Sequence, residues 1–259
     1  MWYNANPPFV QSTVLTKGGW NMRKLTMLLA ISICFIASII VGFPRYGDAD
    51  APLPSQKEYE PPKGKGRVVV VVSGHSGPGN YAYVAEDFAE QGYYAVLVDG
   101  NDFWVKSGGS EARLKGVITR SQQSPHALPG KVAVVGFSLG GGFTLTNATR
   151  MPELVCAVVV YYPLTSHITN PDNFVSKITV PTLMFAGGRD THKNCCLIET
   201  ARKLANAAKK SEGKVILEVF EYPYAEHGFI IKSSKAWSPT DAADAFRRTL
   251  SHLRQYSGE

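Results

Sequence analysis

A short β-branched run that ends in a serine flanked by glycines is the feature that most constrains this chain. The apolar residues 132–135 lead into Gly136-Phe137-Ser138-Leu139-Gly140, and two further glycines precede a helix-compatible run that starts at Phe143. This order indicates a buried strand, a sharp turn with Ser138 at its apex, and a helix. A serine at such an apex is exposed for nucleophilic attack, with amide N–H groups beside it for a developing oxyanion. The alternative is that Ser138 only caps the helix.

Strand and helix signals alternate along the rest of the chain. Continuous apolar runs predict strands at 68–72, 94–98, 131–135, 157–161, 182–186 and 215–222. Amphipathic or helix-compatible segments predict helices at 81–91, 112–120, 143–149, 199–210 and 240–256. This alternation predicts an α/β fold with a doubly wound, mostly parallel sheet and helices on both faces.

The N-terminal segment has a different character from the rest of the chain. Residues 1–21 are polar and irregular, and we interpret them as an extension. Met22-Arg23-Lys24 then precedes an uncharged, mostly apolar run at 25–43. A basic segment followed by an apolar run predicts a signal peptide or a membrane anchor over residues 22–43.

A linker is predicted between this segment and the folded domain. Residues 44–66 are rich in Pro, Lys, Glu and Gly, so the α/β domain is expected to span 67–259. We expect the domain to be exported. It would be released into the periplasm or the exterior, or it would stay anchored to the membrane by residues 25–43.

Composition argues against several classes of ligand. The net charge is +6, but the basic residues outside the N-terminal segment are scattered, so nucleic-acid binding is not expected. The glycine-rich loop at 73–80 matches neither phosphate-binding pattern, GxGxxG or GxxxxGK[ST], so no nucleotide cofactor is expected. The four cysteines have no metal-site spacing. An oxidising compartment would allow a Cys195–Cys196 or Cys156–Cys195 bridge, whereas small buried thiols are the default.

Three predicted loops at one edge of the sheet carry the groups of a serine hydrolase in the order Ser, Asp, His. Ser138 follows one strand, Asp190 follows the strand at 182–186, and His227 follows the strand at 215–222. The carboxyl ends of parallel strands share one edge, so these side chains are expected to meet. His227 would take the proton of Ser138, and Asp190 would hold the imidazole tautomer. The alternatives are that Asp190 caps the following helix and that His227 is a surface loop residue.

The expected oxyanion donors are backbone N–H groups. The N–H of Leu139 follows the nucleophile at the helix N-terminus. A second N–H is expected from the loop after the strand at 68–72, from either His75 or Ser76.

Aromatic residues at the same edge are candidates for substrate contacts. Phe103 and Trp104 follow the strand at 94–98, and Tyr162 follows the strand at 157–161. They are expected to form an apolar pocket for the acyl or alcohol part of a substrate. The alternative is that these aromatic rings pack the loops onto the core.

These motifs together resemble the dienelactone hydrolase family within the α/β-hydrolase fold. The resemblance covers roughly residues 67–256 and rests on the segments 68–74, 89–93, 136–141, 181–190 and 222–229. It implies hydrolysis of a small-molecule ester or lactone through an acyl-enzyme, with no metal or cofactor.

The chain departs from the family pattern at the nucleophile. The founding enzymes carry cysteine at this position, whereas Ser138 stands here, which favours a general carboxylesterase over a dienelactone hydrolase. Polyester-degrading hydrolases of this fold have a similar elbow, but Phe137 replaces their usual His or Trp. An acyltransferase or peptidase on the same triad, and a non-catalytic envelope protein that binds a ligand, remain the alternatives.

Overall fold

The computed structural model describes residues 53–104 and 109–258. The predicted extension at 1–21 and the predicted signal or anchor at 22–43 lie outside these residues. Seven strands are present in the described part: β1 Gln56–Tyr59, β2 Val68–Val72, β3 Tyr94–Val98, β4 Val132–Phe137, β5 Val155–Tyr161, β6 Thr182–Gly187 and β7 Leu217–Tyr222. The same described residues form six α-helices: α1 Ala82–Glu90, α2 Ser110–Gln122, α3 Ser138–Asn147, α4 Pro171–Val175, α5 Ile198–Lys210 and α6 Pro239–Ser257.

The strands form one sheet in the order β1-β3-β2-β4-β5-β6-β7. Strands β2 to β7 pair in parallel, and only β1 pairs antiparallel, with β3. The strand order reverses direction at β2, and β4 lies beside it near the middle of the sheet. The loops after β4, β6 and β7 therefore open at the same edge, which is where ligands bind in open parallel sheets.

The sheet has a hydrophobic core on each face. Successive valines of β2 point to opposite faces, so Val70 belongs to one core and Val71 to the other. Helices α2, α3 and α5 cover the first face, and α1 and α6 cover the second. All residues of β2, β3, β4 and β6 are buried, which explains why these strands have continuous apolar sequences.

The predicted linker at 44–66 is wrong in part, because the folded unit begins before residue 67. Residues Gln56–Tyr59 form β1 and pair with β3 at the edge of the sheet. Gly66 also forms a bridge with Ala127. The strand was missed because its sequence, Gln-Lys-Glu-Tyr, is polar, as is usual for an edge strand with little buried surface.

Among residues 53–104 and 109–258, no helix has the length and apolar character needed to cross a bilayer.

Helix α5 provides a test of the packing. Leu204 is fully buried in the first core, so Leu204→Ala should lower the free energy of unfolding by about 2–5 kcal/mol through lost burial and a cavity. Lys203→Ala is the matched control, because Lys203 is exposed on the same helix and its change should stay within about 0.5 kcal/mol. Urea denaturation of both variants measures the difference, and equal losses would contradict the described packing.

Candidate active site

Ser138 occupies a strained junction between a strand and a helix. Strand β4 ends at Phe137, helix α3 begins at Ser138, and the φ angle of Ser138 is 51°. A left-handed backbone at a residue other than glycine costs roughly 1–3 kcal/mol and persists only where the surroundings enforce it. The predicted strand, turn and helix are therefore present, with the turn so tight that the helix begins at the serine itself.

The flanking glycines are required by close backbone contacts. A Cβ atom at Gly136 would collide with the hydroxyl of Thr144, and one at Gly140 would collide with the carbonyl oxygen of Ser73. The helix thus packs directly against the ends of β4 and β2. Any larger residue at either position would push Ser138 out of place.

Three side chains from three loops form a continuous chain of hydrogen bonds. Oγ of Ser138 lies 2.9 Å from Nε2 of His227, and Nδ1 of His227 lies 2.7 Å from Oδ2 of Asp190. The Asp190 side chain is fully buried, whereas the His227 side chain is 15% exposed. The structure thus brings together the three residues that the sequence order suggested.

Backbone hydrogen bonds between the loops after β6 and β7 place Asp190 against His227. The N–H of Gly188 donates to the carbonyl of Tyr222 at 2.8 Å, and the N–H of Arg189 donates to the carbonyl of Ala225 at 3.0 Å. These bonds continue the pairing of the two strands into their loops. The carboxylate and the imidazole are therefore held on a rigid scaffold.

Asp190 also caps the turn that follows it, which was the alternative interpretation of this residue. Its Oδ1 accepts a hydrogen bond from the backbone N–H of His192 at 3.1 Å, at the start of the short 3₁₀ turn His192–Asn194. One carboxylate oxygen supports the turn and the other faces His227. The capping bond helps to fix the orientation of the carboxylate.

His192 is a neighbour of His227 that the sequence interpretation did not identify. The two imidazole rings are stacked, with centroids 4.4 Å apart and an angle of 11° between the planes. Partial burial and the adjacent His227 hold the pKa of His192 below its usual value. The lowered pKa favours the neutral form of His192, which stacks on the His227 ring without adding a positive charge beside it.

The expectation that Tyr162 lines a substrate pocket is corrected. Tyr162 is buried, and its ring packs edge-on against the His227 imidazole with centroids 4.9 Å apart. Its φ of 35° turns the chain sharply after β5 and directs the ring inward. Tyr162 therefore packs against the His227 ring from within the core, and its own ring has no surface available to a substrate.

The expected substrate contact of Phe103 is also corrected. Its ring packs the loop onto the core, which was the alternative interpretation. The ring is fully buried and stacks on Phe143 of α3, with centroids 4.3 Å apart. Trp104 is 46% exposed, and its ring lies edge-on to His167 at 6.4 Å. Trp104 thus remains the candidate for a substrate contact.

The candidate oxyanion donors lie in the first turn of α3 and in the loop after β2. Leu139 lies in the first turn of α3, where backbone N–H groups have no acceptor within the helix. Gly74 packs against the serine, since a Cβ there would lie 3.2 Å from Cβ of Ser138. His75 and Ser76 follow in an exposed turn closed by the N–H of Gly77 and the carbonyl of Gly74. The donor roles of Leu139, His75 and Ser76 stay predictions.

Two of the cysteines form a disulfide between neighbouring residues. Cys195 is bonded to Cys196, and Cys156 on β5 is a free, half-buried thiol. The pair follows the turn that contains His192, so it lies in the wall of the site. Of the two bridges considered from the sequence, the structure contains the one between adjacent residues.

Comparison with known proteins identifies the family. The sequence profile described as the dienelactone hydrolase family matches residues 105–257, more than half of the chain. One curated protein, from Escherichia coli O157:H7, is 28% identical to this chain over 134 residues. Its name assigns it provisionally as a carboxymethylenebutenolidase. That match covers 50% of this chain and 48% of the relative. Cutinase 2 of Thermobifida cellulosilytica is 27% identical over 180 residues, covering 65% of this chain and 66% of the cutinase.

The fold is shared with solved esterases. The structure of esterase 2 of Thermogutta terrifontis superimposes with a TM-score of 0.63 at 19% identity, covering 81% of this chain and 92% of the esterase. This likeness shows the α/β-hydrolase fold. The chain spans only about half the length of the first of its curated relatives. The sequence profile over residues 105–257 nevertheless shows that this chain belongs to the dienelactone hydrolase family.

Proposed function

We propose that this chain is a serine hydrolase that cleaves carboxylic esters or lactones through an acyl-enzyme on Ser138. The observation that carries the proposal is the hydrogen-bonded chain from Ser138 through His227 to the buried Asp190. A non-catalytic ligand-binding protein would have no need for a serine held at a positive φ against an imidazole.

The proposed reaction begins with attack by Oγ of Ser138 on the carbonyl carbon of the ester. Nε2 of His227 accepts the hydroxyl proton as the new C–O bond forms, and Asp190 stabilises the resulting imidazolium. The carbonyl oxygen becomes an oxyanion, which the N–H of Leu139 and a second N–H from His75 or Ser76 would stabilise.

The acyl-enzyme forms when this tetrahedral intermediate collapses. The alkoxide leaves with the proton that His227 carried, and the acyl group stays on Ser138. Water then attacks the acyl carbon, and His227 takes the proton of the water molecule. Release of the carboxylic acid returns the proton to Ser138. No step requires a redox or metal cofactor.

Curated relatives and a solved esterase of the same fold both support this reaction class. Relatives are named as a carboxymethylenebutenolidase, which acts on a lactone, and as cutinases. Structures of the Thermogutta esterase are described as phosphoramylated by tabun and phosphorylated by paraoxon, both organophosphorus compounds. Together they favour a carboxylic ester or lactone as substrate for this chain.

Substitution of the nucleophile tests the proposal. Ser138→Ala removes the only atom to which the acyl group is transferred, so kcat for p-nitrophenyl acetate should fall by at least about 10³-fold. Ser166→Ala is the matched control, because Ser166 is an exposed serine in the loop after β5 and should keep native activity. A fluorophosphonate should add one adduct to the native chain and none to Ser138→Ala. Retention of activity by Ser138→Ala would refute the proposed function.

Substitution of the buried carboxylate tests the role of Asp190. In Asp190→Asn the amide donates to Nδ1 of His227 and favours the tautomer with a proton on Nε2, which cannot accept the proton of Ser138. We expect kcat to fall by about 10⁴-fold. Asp172→Asn is the control, because Asp172 is an exposed carboxylate paired with Lys210 and should leave kcat unchanged. Equal activity of the two variants in a steady-state ester assay would exclude the proposed role.

An acyl-acceptor experiment separates hydrolysis from acyl transfer. Ester and lactone substrates of graded acyl length should yield free acid even when an alcohol or amine acceptor is added, because water deacylates the enzyme. Product analysis by mass spectrometry measures the ratio. Preferred transfer to the acceptor, or cleavage of a matched amide, would instead support the acyltransferase or peptidase alternative.

We further propose that the hydrolase domain is exported. The support is the sequence of residues 22–43, where two basic residues precede an apolar run, together with a disulfide that suits an oxidising compartment. Fusion of residues 1–66 to a reporter that is active only outside the cytoplasm should give activity, and Leu28→Arg combined with Ile33→Arg should abolish it because charge disrupts the apolar run. Equal reporter activity in both fusions would contradict export through this segment.

A further inference from the structure

The sulfur atoms of the adjacent cysteines lie close to the histidine of the site. One sulfur from each of Cys195 and Cys196 and one ring nitrogen of His227 all lie within 4.8 Å of one another. Cys196 is buried and Cys195 is half-buried. Two sulfurs and an imidazole nitrogen are the ligand types that zinc and similar soft divalent cations prefer.

Hydrogen bonds hold the cysteine pair in place relative to the elbow. The carbonyl oxygen of Cys195 accepts from the backbone N–H of Thr165 at 2.8 Å and from that of Ser166 at 3.0 Å. The neighbouring N–H of Leu164 donates to the carbonyl of Ser138 at 2.8 Å. The cysteine loop is thus connected to the nucleophile through the loop after β5, and its position does not depend on the disulfide alone.

The loop before the cysteines has an enforced conformation. Lys193 and Asn194 both have positive φ angles, 47° and 52°, in a turn closed by the N–H of Cys195 and the carbonyl of His192. Two successive residues other than glycine in the left-handed region are unfavourable unless the surroundings require them. The turn leads directly into the two cysteines, whose sulfurs lie within 4.8 Å of a ring nitrogen of His227.

The hydrogen bonds of His227 determine which nitrogen is open to a cation. Nδ1 faces Asp190 at 2.7 Å, so Nε2, which faces Ser138, is the nitrogen whose lone pair is left to bind a cation. An imidazole whose Nδ1–H is held by a carboxylate is the arrangement that proteins use to orient a metal-binding histidine. A cation on Nε2 would take the lone pair that the proposed reaction needs for the proton of Ser138.

We propose that, once the disulfide is reduced, Cys195, Cys196 and His227 form a three-ligand site for a soft divalent cation such as Zn²⁺, and that the bound cation blocks hydrolysis. The effect on hydrolysis rests on the proposed function, whereas the binding of the cation does not. The disulfide then keeps the site in its active, metal-insensitive form.

Reduction of the disulfide and binding of the cation are two separate steps. A trialkylphosphine supplies two electrons and breaks the S–S bond, while one water molecule gives two protons to the thiols and its oxygen to the resulting phosphine oxide. A dithiol reduces the bond equally, and its own two S–H protons complete the new thiols as it becomes a disulfide. Zn²⁺ then displaces both thiol protons and binds two thiolates and Nε2, with water in the fourth position. Zn–S and Zn–N bonds of about 2.3 and 2.0 Å place ligand atoms about 3.5–3.8 Å apart. The two sulfurs therefore move apart once the S–S bond is broken, and the imidazole nitrogen, within 4.8 Å of both, approaches them by no more than about 1.3 Å.

Metal binding is measured first, without reference to activity. The untagged full-length chain is reduced with a trialkylphosphine, and its titratable thiols should increase by two. Co²⁺ should then give one thiolate-to-cobalt charge-transfer band per chain, which the oxidised chain lacks. Cys196→Ser and Cys195→Ser should each lose the band, and His227→Gln should weaken binding. Cys156→Ser is the matched control and should behave as the native chain does, because Cys156 lies on β5 away from the group.

Inhibition is measured next on p-nitrophenyl acetate. One equivalent of Zn²⁺ should lower the rate of the reduced chain by at least 10-fold, a chelator should restore it, and the oxidised chain should be insensitive. An unchanged thiol count, a missing cobalt band, or equal inhibition of oxidised and reduced chains would overturn the proposal. Ester hydrolysis by the oxidised chain without cobalt binding by the reduced chain would refute only this inference. Cobalt binding by a chain that hydrolyses no ester would refute only the proposed function.

Discussion

The left-handed backbone of Ser138 is the constraint around which the rest of the site is arranged. The fully buried strand β4 holds the residue before it, and the close approach of α3 to the ends of β2 and β4 holds the residues after it. Gly136 and Gly140 make that approach sterically allowed. The strain at one residue is thus balanced by the packing of a whole sheet and helix, which keeps the serine hydroxyl clear of its own backbone.

The imidazole of His227 is held from several sides at once. Asp190 and Ser138 contact its two nitrogens, His192 stacks on one face, and Tyr162 packs edge-on against it. Such confinement reduces the reorganisation needed when a proton moves, because the ring already has the required orientation. The same crowding brings two cysteine sulfurs near the ring, which is why a redox change in the wall of the site is expected to affect the chemistry at its centre.

Much of the fold could be predicted because strands buried on both faces have continuous apolar sequences. The segments 68–72 and 94–98 form strands with the predicted bounds, and the remaining strands differ by a few residues at their ends. Strand β1 was missed because an edge strand is specified by backbone pairing with β3 more than by apolar side chains. The short helix Pro171–Val175 was missed for a related reason, since five residues carry too little periodicity to be recognised.

The sequence by itself determined the class of fold, the strand-turn-helix element at Ser138 and the order in which Ser138, Asp190 and His227 follow their strands, because these depend on local patterns along the chain. Only the tertiary structure decided which further side chains pack around these three. Phe103 turned inward to stack on Phe143, and Tyr162 turned inward against His227. The adjacent cysteines came to lie beside a histidine from another loop. Those contacts depend on how loops from different strands meet in the folded protein, and the spacing of residues along the sequence does not indicate them.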